Sequence, residues 1–203
     1  TLVQSAPSTT FYLADKQAGK PWITRLPFPV HVVEKVTAID TWRKTSFSST
    51  YSYHHGYFDG QEWEFRGFGR VEQNDIETFG KFDQGNINSP YIADDHTLYQ
   101  PPVKTVTWFH AGAFLDRERI LNHFRDEYYP AGLAADGFSF DPNYPFAERE
   151  LPEPDLIGQN LSTDEWRQAL RSCRGMLLRQ EVYELDVDAL EQGRQVPVKL
   201  FST

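Results

Sequence analysis

The stretch that decides the fold is SFSSTYSYHHGYFDGQEWEFRGFGR, which spans residues 46–70. Between Phe47 and His55, aromatic and small polar residues alternate with the period of two that separates the faces of a β-strand. A second alternating arm runs from Trp63 to Arg70, and Asp59-Gly60 lies between the two arms. Asp-Gly is favoured where both central turn residues have positive φ. The stretch therefore predicts a β-hairpin that turns at Asp59-Gly60.

Two further features of this stretch concern its second arm. Gly67 and Gly69 interrupt the arm, and glycines inside a strand indicate a bulge or a close approach of another backbone. Glu62 and Glu64 alternate with the apolar residues of the arm. We expect these two carboxylates to form a solvated face.

Other strands are predicted on both sides of the hairpin by runs of β-branched and aromatic residues. They cover residues 30–40, 104–110, 176–186 and 196–203.

Two helices are predicted in the second half of the chain. In the first helix, Asp116 is a suitable N-cap residue and Pro130 ends the helix. The apolar residues Ile120, Phe124 and Tyr128 recur between them at helical spacing. The second helix begins with Ser162-Thr-Asp-Glu165, the pattern of a capping box. Its apolar stripe contains Trp166, Leu170 and Cys173, so we expect Cys173 to be a buried structural thiol and not a nucleophile.

The element order predicts a mostly β fold, an antiparallel sheet with two inserted helices and long irregular loops. Residues 1–29 contain four prolines and are expected to be an extended lead-in, followed by β hairpins over 30–110. A helical and loop insertion follows over 111–175, and β structure returns over 176–203. We interpret residues 1–203 as a single segment of a larger protein.

Composition excludes several classes of function. Twenty Lys and Arg against 29 Asp and Glu give a net charge of −9, which argues against binding to nucleic acid or to an anionic membrane surface. Fifteen per cent of the residues are aromatic, which favours a folded chain. A single cysteine excludes an internal disulfide and a cysteine-based zinc site.

Three short runs carry a family resemblance: residues 25–30 (RLPFPV), 53–60 (YHHGYFDG) and 64–69 (EFRGFG). Together they resemble the B component of bacterial insecticidal toxin complexes (TcB, also TcaC or TcdB) and SpvB-type proteins, in the region between the β-propeller and the Rhs-type shell. The tail from Gly175 to Asp186 is similar to strand pairs of Rhs/YD repeats. The residues that carry the resemblance are Arg25, Pro27, Phe28, Pro29, Tyr53, His54, His55, Gly56, Asp59, Gly60, Phe65, Arg66, Gly67, Phe68 and Gly69.

The resemblance implies a structural role without a cofactor or a catalytic residue. In this family the B and C components close into a hollow, Rhs/YD-like β shell that holds an unfolded toxic enzyme, and the B component docks on the pore-forming A component. The implied partners are the rest of the same chain, the C component and, through the larger assembly, the A component. The implied location is extracellular, as part of a secreted complex.

Two alternatives remain open. The first is an ADP-ribosyltransferase, an enzyme class that uses an Arg, a Ser-Thr-Ser strand and a Glu-x-Glu motif. Similar elements occur here at Arg43, Ser49-Thr50 and Glu62 with Glu64. Ser49 and Glu64 are expected at similar distances from the turn, where they could approach each other, although one hairpin gives only a flat face. The other alternative is a glycan- or protein-binding β module that uses the aromatic residues of the loop at 131–146, which are Phe138, Phe140, Tyr144 and Phe146.

A metal site is not expected at His54-His55. Neighbouring residues of a strand point to opposite faces, so the two rings cannot both bind one ion without distortion. The other histidines show no HxH, HxxxH or HExxH spacing.

Overall fold

The computed structural model describes residues 1–42, 45–79, 102–128, 160–185 and 198–202, which form seven strands and three helices. In chain order the elements are β1 (Leu2–Pro7), α1 (Ser8–Gln17), β2 (His31–Asp40), β3 (Thr45–Asp59), β4 (Glu64–Phe79), β5 (Val103–Phe109), α2 (Arg117–Glu127), α3 (Thr163–Ser172), β6 (Leu177–Glu184) and β7 (Val198–Ser202).

The strands form one antiparallel sheet in the order β1 to β7, so that every strand pairs with its neighbours in sequence. The mostly β, antiparallel fold class predicted from the sequence is confirmed. The two predicted helices are present as α2 and α3, and α1 is an additional one. The long irregular segment expected after residue 130 lies outside the described residues.

The β3–β4 hairpin forms as expected, but its turn differs from the prediction. Asp59 pairs with Glu64, which leaves a four-residue connection, and Gly60 does not have positive φ. The Oδ1 atom of Asp59 instead accepts hydrogen bonds from the backbone N–H of Gln61 (2.9 Å) and Glu62 (3.1 Å). In this turn, which the Asp59 side chain stabilises, the residue with a left-handed backbone is Trp63, with a φ of 54°, and not Gly60.

The bulge predicted from the glycines of β4 is present. Gly56 pairs with Phe68 and Phe58 pairs with Phe65, so β4 carries one extra residue there. Gly67 has a φ of 93°, which an L-residue rarely adopts, and this conformation accommodates the extra residue.

The expectation of an extended lead-in over residues 1–29 is wrong for Ser8–Gln17, which form α1. The prolines flank this helix. Pro7 occupies its N-cap position, and the chain has left the helix before Pro21. Ser8 also fixes the helix start, because its Oγ accepts from Val30 N–H at 3.0 Å while its own N–H donates to Val30 O at 2.7 Å. The four prolines of residues 1–29 argued against a helix, but the ten residues Ser8–Gln17 contain no proline.

The other two helices begin where the sequence predicts. Asp116 is the N-cap residue of α2, but its side chain makes an ion pair with Arg119 (3.2 Å) and does not cap the helix. At α3 the capping box between Ser162 and Glu165 is present, with both reciprocal hydrogen bonds. Of the apolar stripe on α3, Leu170 is buried, while Trp166 and Cys173 are only partly buried.

The apolar core lies where α2 packs against the sheet. Ile120 and Phe124 of α2, with its C-cap residue Tyr128, pack in one cluster with residues of β5. These are Val106 and Trp108. The rings of Trp108 and Tyr128 meet edge to face at 4.9 Å. Among the described residues, no helix is long and apolar enough to cross a membrane.

Trp63→Gly should raise the free energy of unfolding by about 1 kcal/mol, because glycine adopts the left-handed conformation without the steric cost of a Cβ atom. Little packing is lost, since Trp63 is 83% exposed. Chemical denaturation measures the change.

Gly60→Ala is the control for this prediction. No atom lies within 4 Å of an added Cβ at Gly60, so stability should stay within about 0.5 kcal/mol. A loss of stability in Trp63→Gly together with a large loss in Gly60→Ala would show that the turn is centred on Gly60 after all.

Candidate functional site: the hairpin end and the Glu127 hub

The three runs that carry the family resemblance meet at the turn end of the β3–β4 hairpin. Backbone and side-chain hydrogen bonds tie the loop at 18–30 to this end. Phe58 N–H donates to Arg25 O at 3.0 Å, and the Thr24 hydroxyl donates to Gly56 O at 3.0 Å. The first run therefore packs on the second.

An aromatic cluster joins all three runs. Phe28 contacts Phe58 and Phe65 with ring centroids 5.2 Å and 6.3 Å apart, and Phe68 contacts Phe65 at 5.6 Å and Tyr53 at 5.0 Å. Pro27 and Pro29 flank Phe28 and are exposed. The prolines hold the loop extended so that the ring between them reaches the hairpin.

Two residues of β4, Arg66 and Gly69, determine how the hairpin packs against its neighbours. The Arg66 side chain is fully buried, makes an ion pair with Asp59 (2.8 Å) and donates to Gly112 O. A Cβ atom at Gly69 would lie 2.5 Å from Phe124 Cζ, so only glycine allows α2 to approach this closely. Arg66 and Gly69 therefore serve ion pairing and close packing.

A half-buried carboxylate on α2 accepts hydrogen bonds from three strands. Glu127 Oε1 accepts from His55 Nε2 (2.9 Å) on β3 and from Arg70 Nη1 (3.1 Å) on β4. Its Oε2 accepts from Trp108 Nε1 (3.1 Å) on β5. His123, one turn earlier on α2, has Nε2 3.6 Å from Oε1. We call these five residues the Glu127 hub.

The hub holds Glu127 in its charged form. Burial raises the pKa of its carboxyl, but the hydrogen bond from His55 and the charge of Arg70 outweigh burial and bring the pKa from 4.5 to about 2. Burial lowers the pKa of His123, and the nearby carboxylate of Glu127 only partly offsets this. The balance favours an ionised carboxylate beside a neutral His123.

The hub has the composition of a metal site but not its hydrogen bonding. Among the described residues, His55, His123 and Glu127 place ligand atoms within 4.8 Å of one another. However, Ile23 N–H donates to His55 Nδ1 at 3.2 Å, so in the neutral ring the proton is on Nε2, the atom that would have to bind the ion. The Arg70 guanidinium also occupies the same carboxylate oxygen. We therefore interpret the hub as a hydrogen-bonded network that holds α2 on the sheet.

His54 and His55 face different partners. His54 Nδ1 lies 2.6 Å from Asp15 Oδ2 of α1, and Asp15 also accepts from Trp22 Nε1 at 2.6 Å. His55 has a φ of 56° and belongs to the hub. Each histidine thus ties one segment, α1 or α2, to the same strand.

Glu62 and Glu64 do not form the solvated face that the alternation predicts. Glu62 makes an ion pair with Arg167 (3.1 Å), and Glu64 accepts from Arg171 Nε (3.0 Å) and from Arg174. These arginines lie on α3 or directly after it, so the carboxylates connect the hairpin to this helix. The arginines are 107 and 110 residues away from Glu64 in sequence, and local alternation therefore gave no sign of them.

The ADP-ribosyltransferase elements are not brought together. Ser49 pairs with Asp75, whereas Glu64 pairs with Asp59, so the two residues are ten positions apart along the hairpin. At the rise of a strand this is about 33 Å. Ser49 instead donates to Asp75 at 2.6 Å. The expected approach of Ser49 to Glu64 is wrong, because Ser49 lies ten residues before Asp59 whereas Glu64 is the first residue of β4 after the turn. Arg43 lies outside the described residues, as do Phe138, Phe140, Tyr144 and Phe146.

The hub itself was missed at the sequence level. His123 and Glu127 stand at i and i+4, a spacing that places both on one face of a helix. This was the only local signal, and it is shared by many surface ion pairs. The partners on β3, β4 and β5 become neighbours only through the sheet register.

Comparison with known proteins shows that the chain is similar to a family of toxin components. Residues 1–97 match the family described as "Insecticide toxin TcdB middle/N-terminal region". Among solved structures, the TcdB2–TccC3 complex without its hypervariable C-terminal region matches 96% of the chain at 25% identity and a TM-score of 0.61. The TcdB2–TccC3–Cdc42 structure matches at 25% identity with a TM-score of 0.60. The Tc holotoxin pore of Photorhabdus luminescens matches 97% of the chain at 27% identity and a TM-score of 0.61.

The chain is thus similar to a component of an insecticidal toxin complex. The similarity covers the region described as the middle/N-terminal region of TcdB over residues 1–97, and the solved TcdB2–TccC3 structures over 96% of the chain. It spans 8% of the length of the solved chains that it matches. No curated protein matches the sequence.

Glu127→Gln should lower the free energy of unfolding by about 2 kcal/mol, because a neutral amide no longer compensates Arg70 and offers one acceptor where the carboxylate offers two. Glu118→Gln, an exposed position on the same helix, should change stability by less than about 0.5 kcal/mol. Urea denaturation of the two variants compares them, and equal losses would contradict the role of the hub.

Stability should fall as the pH drops below neutrality. Burial lowers the pKa of His123 and of His110 from 6.5 in the folded chain, so the unfolded chain binds protons first as acid is added. A second loss follows between pH 4.5 and about 2, where Glu127 titrates.

Denaturation midpoints measured from pH 7.5 to pH 3 test this pH dependence. His123→Gln should flatten the first decline, whereas His31→Gln, at an exposed position on β2, should leave it unchanged. Stability that rises from pH 7 to pH 5.5 would show that the sign is wrong.

Proposed function

We propose that this chain is a non-catalytic wall segment of a toxin B component. In this role it contributes to the Rhs-type shell that encloses the toxic enzyme and helps to deliver it. Its partners are then the remainder of the B component and the C component, with the A component reached through the larger assembly. The site of action is extracellular, as part of a secreted complex.

One observation carries the proposal: the two faces of the sheet differ systematically along β5 and β6. The residues that face the covered side are buried. They are Val106, Trp108, Arg179, Glu181 and Tyr183. The intervening residues are partly exposed: Thr105, Thr107, Gln180 and Val182. A sheet that is covered on one side and carries mostly polar side chains on the other suits a wall between two compartments.

The topology supports the same role. The strands follow one another in sequence order, and within the described part of the chain β1 and β7 each pair on one side only. Such a sheet can be extended at both edges by further strands. The motif residues serve packing, as the buried ion pair of Arg66 with Asp59 illustrates.

The test is cargo retention by the full-length B component assembled with its C component. Glu127→Gln should loosen α2 from the sheet and increase the rate at which an added protease degrades the enclosed enzyme, by about 5- to 30-fold for a loss of about 1–2 kcal/mol in local opening. Glu118→Gln is the matched control on the same helix and should protect the cargo as the parent does.

The proposal fails if Glu127→Gln destabilises the B component and the cargo remains as protected as in the parent complex. It also fails if the full-length B component without a C component turns over NAD and Glu64→Ala abolishes that turnover, since this would give the hairpin a catalytic role.

A further inference from the structure

The imidazole ring of His55 makes two hydrogen bonds that need opposite roles from its two nitrogens. Nδ1 accepts from the backbone N–H of Ile23 at 3.2 Å, and Nε2 donates to Oε1 of Glu127 at 2.9 Å. The neutral ring with its proton on Nε2 satisfies both partners. His55 is 3% exposed, so water does not stand in for either partner while the site is closed.

The charged groups around His55 favour a proton from one side only. Among the described residues, the titratable or charged side chains that face the ring, directly or through Glu127, are Glu127 and His123 on α2, Arg70 on β4 and His54 on β3. Glu127 has a pKa of about 2, so it is an anion throughout the range in which histidines titrate. Arg70 is itself paired with Glu127 and with Glu72. The loop at 18–30 offers the ring an uncharged backbone N–H.

A second proton on the ring changes the two contacts in opposite directions. It binds at Nδ1, which then donates and no longer accepts, so that it opposes the N–H of Ile23. On the other side, the positively charged ring donates a stronger, charge-assisted hydrogen bond to Glu127. The same proton therefore weakens the contact with the loop and strengthens the contact with α2.

The other hydrogen bonds of the loop persist in mild acid. Those made by the Thr24 hydroxyl and by the backbone O of Arg25 involve no titratable group. Trp22 Nε1 donates to Asp15 at 2.6 Å. Burial raises the pKa of Asp15, but its hydrogen bond with His54 outweighs burial and holds the pKa below its ordinary value. Acid in the range of histidine titration therefore acts on this loop at the Nδ1 contact.

We propose that His55 is an acid-sensitive clamp, whose protonation detaches the loop at 18–30 from the hairpin at Ile23 and tightens the hold of β3 on α2. The coupling is reciprocal: the detached loop leaves Nδ1 free to bind a proton, so acid shifts the loop toward the detached form. Ile23 is the place where the loop meets the core, because its side chain packs against the apolar cluster under α2. The clamp does not depend on the proposed wall role.

Hydrogen exchange of the full-length B component at pH 7.5 and pH 5.5, followed by peptide mass spectrometry, tests the clamp. Rates are corrected for the intrinsic dependence of amide exchange on pH. In the parent, exchange at Ile23 should rise about tenfold on acidification, the size expected for the loss of one buried hydrogen bond. The amides of α2 should not follow this rise.

Two substitutions separate the roles of the two nitrogens. His55→Asn keeps an acceptor near the position of Nδ1, does not titrate and tolerates the φ of 56°, so Ile23 should stay protected at both pH values. His55→Gln keeps a donor near the position of Nε2 without an acceptor for Ile23, so Ile23 should exchange fast at both pH values. His31→Gln, at an exposed position on β2, is the control and should respond as the parent does.

His123→Gln tests whether the neighbouring ring is the sensor. This variant keeps both nitrogens of His55, so the rise at Ile23 should persist. Loss of the rise would assign acid sensing to His123 and overturn the proposal.

Three further results would overturn it. In the first, Ile23 in the parent is equally protected at both pH values. In the second, His55→Asn loses protection on acidification as the parent does. In the third, the amides of α2 open as steeply as Ile23, which would mean that acid opens the whole hub. None of these readouts involves the C component or the cargo, so they are independent of the cargo-retention test of the wall proposal.

Discussion

The rest of the structure depends on the carboxylate of Glu127. It receives hydrogen bonds from β3, β4 and β5 at once, through His55, Arg70 and Trp108. Although burial raises its pKa, the hydrogen bond from His55 and the charge of Arg70 at 3.1 Å keep the carboxylate ionised far below its ordinary pKa. Removal of the anion would leave Arg70 without this compensation in a partly buried position, which costs more than the loss of one neutral hydrogen bond.

The hub also links the loop at 18–30 to α2. His55 uses one ring nitrogen for Glu127 and the other for the backbone of Ile23, so the loop at 18–30 and α2 are tied to opposite sides of one ring. That loop carries the first family run, which packs through Phe28 on the hairpin. Gly69 allows Phe124 to approach closely enough for the hydrogen bonds of Glu127 to form. The shape of the hairpin end thus follows from packing and charge pairing, which suits the proposed wall.

Local patterns predicted the elements that depend on local chemistry. The alternation of residues 47–55 predicted β3, and Ser162 with Glu165 predicted the start of α3, because strand faces and helix caps involve residues close in sequence. The positive φ at Trp63 was not predictable from Asp-Gly, since the Asp59 side chain selected a longer turn. Helix α1 was hidden by flanking prolines that the helix itself does not contain.

Long-range pairing escaped prediction for a physical reason. Glu127 and His55 are 72 residues apart, and Arg171 and Glu64 are 107 residues apart, so nothing in a local window links them. The same sheet register that creates these pairs separates Ser49 from Glu64, which local spacing had suggested could meet. Register, more than composition, decides which charged residues become partners.

A double-mutant cycle between His55 and Glu127 tests the central claim most directly. The unfolding free energies of His55→Ala, Glu127→Gln and the double variant give the coupling between the two side chains. Our account predicts a coupling of about 1–3 kcal/mol, because the residues share a partly buried, charge-assisted hydrogen bond. Effects that add within about 0.3 kcal/mol would contradict it, since the contact between α2 and β3 would then contribute nothing to holding the fold together.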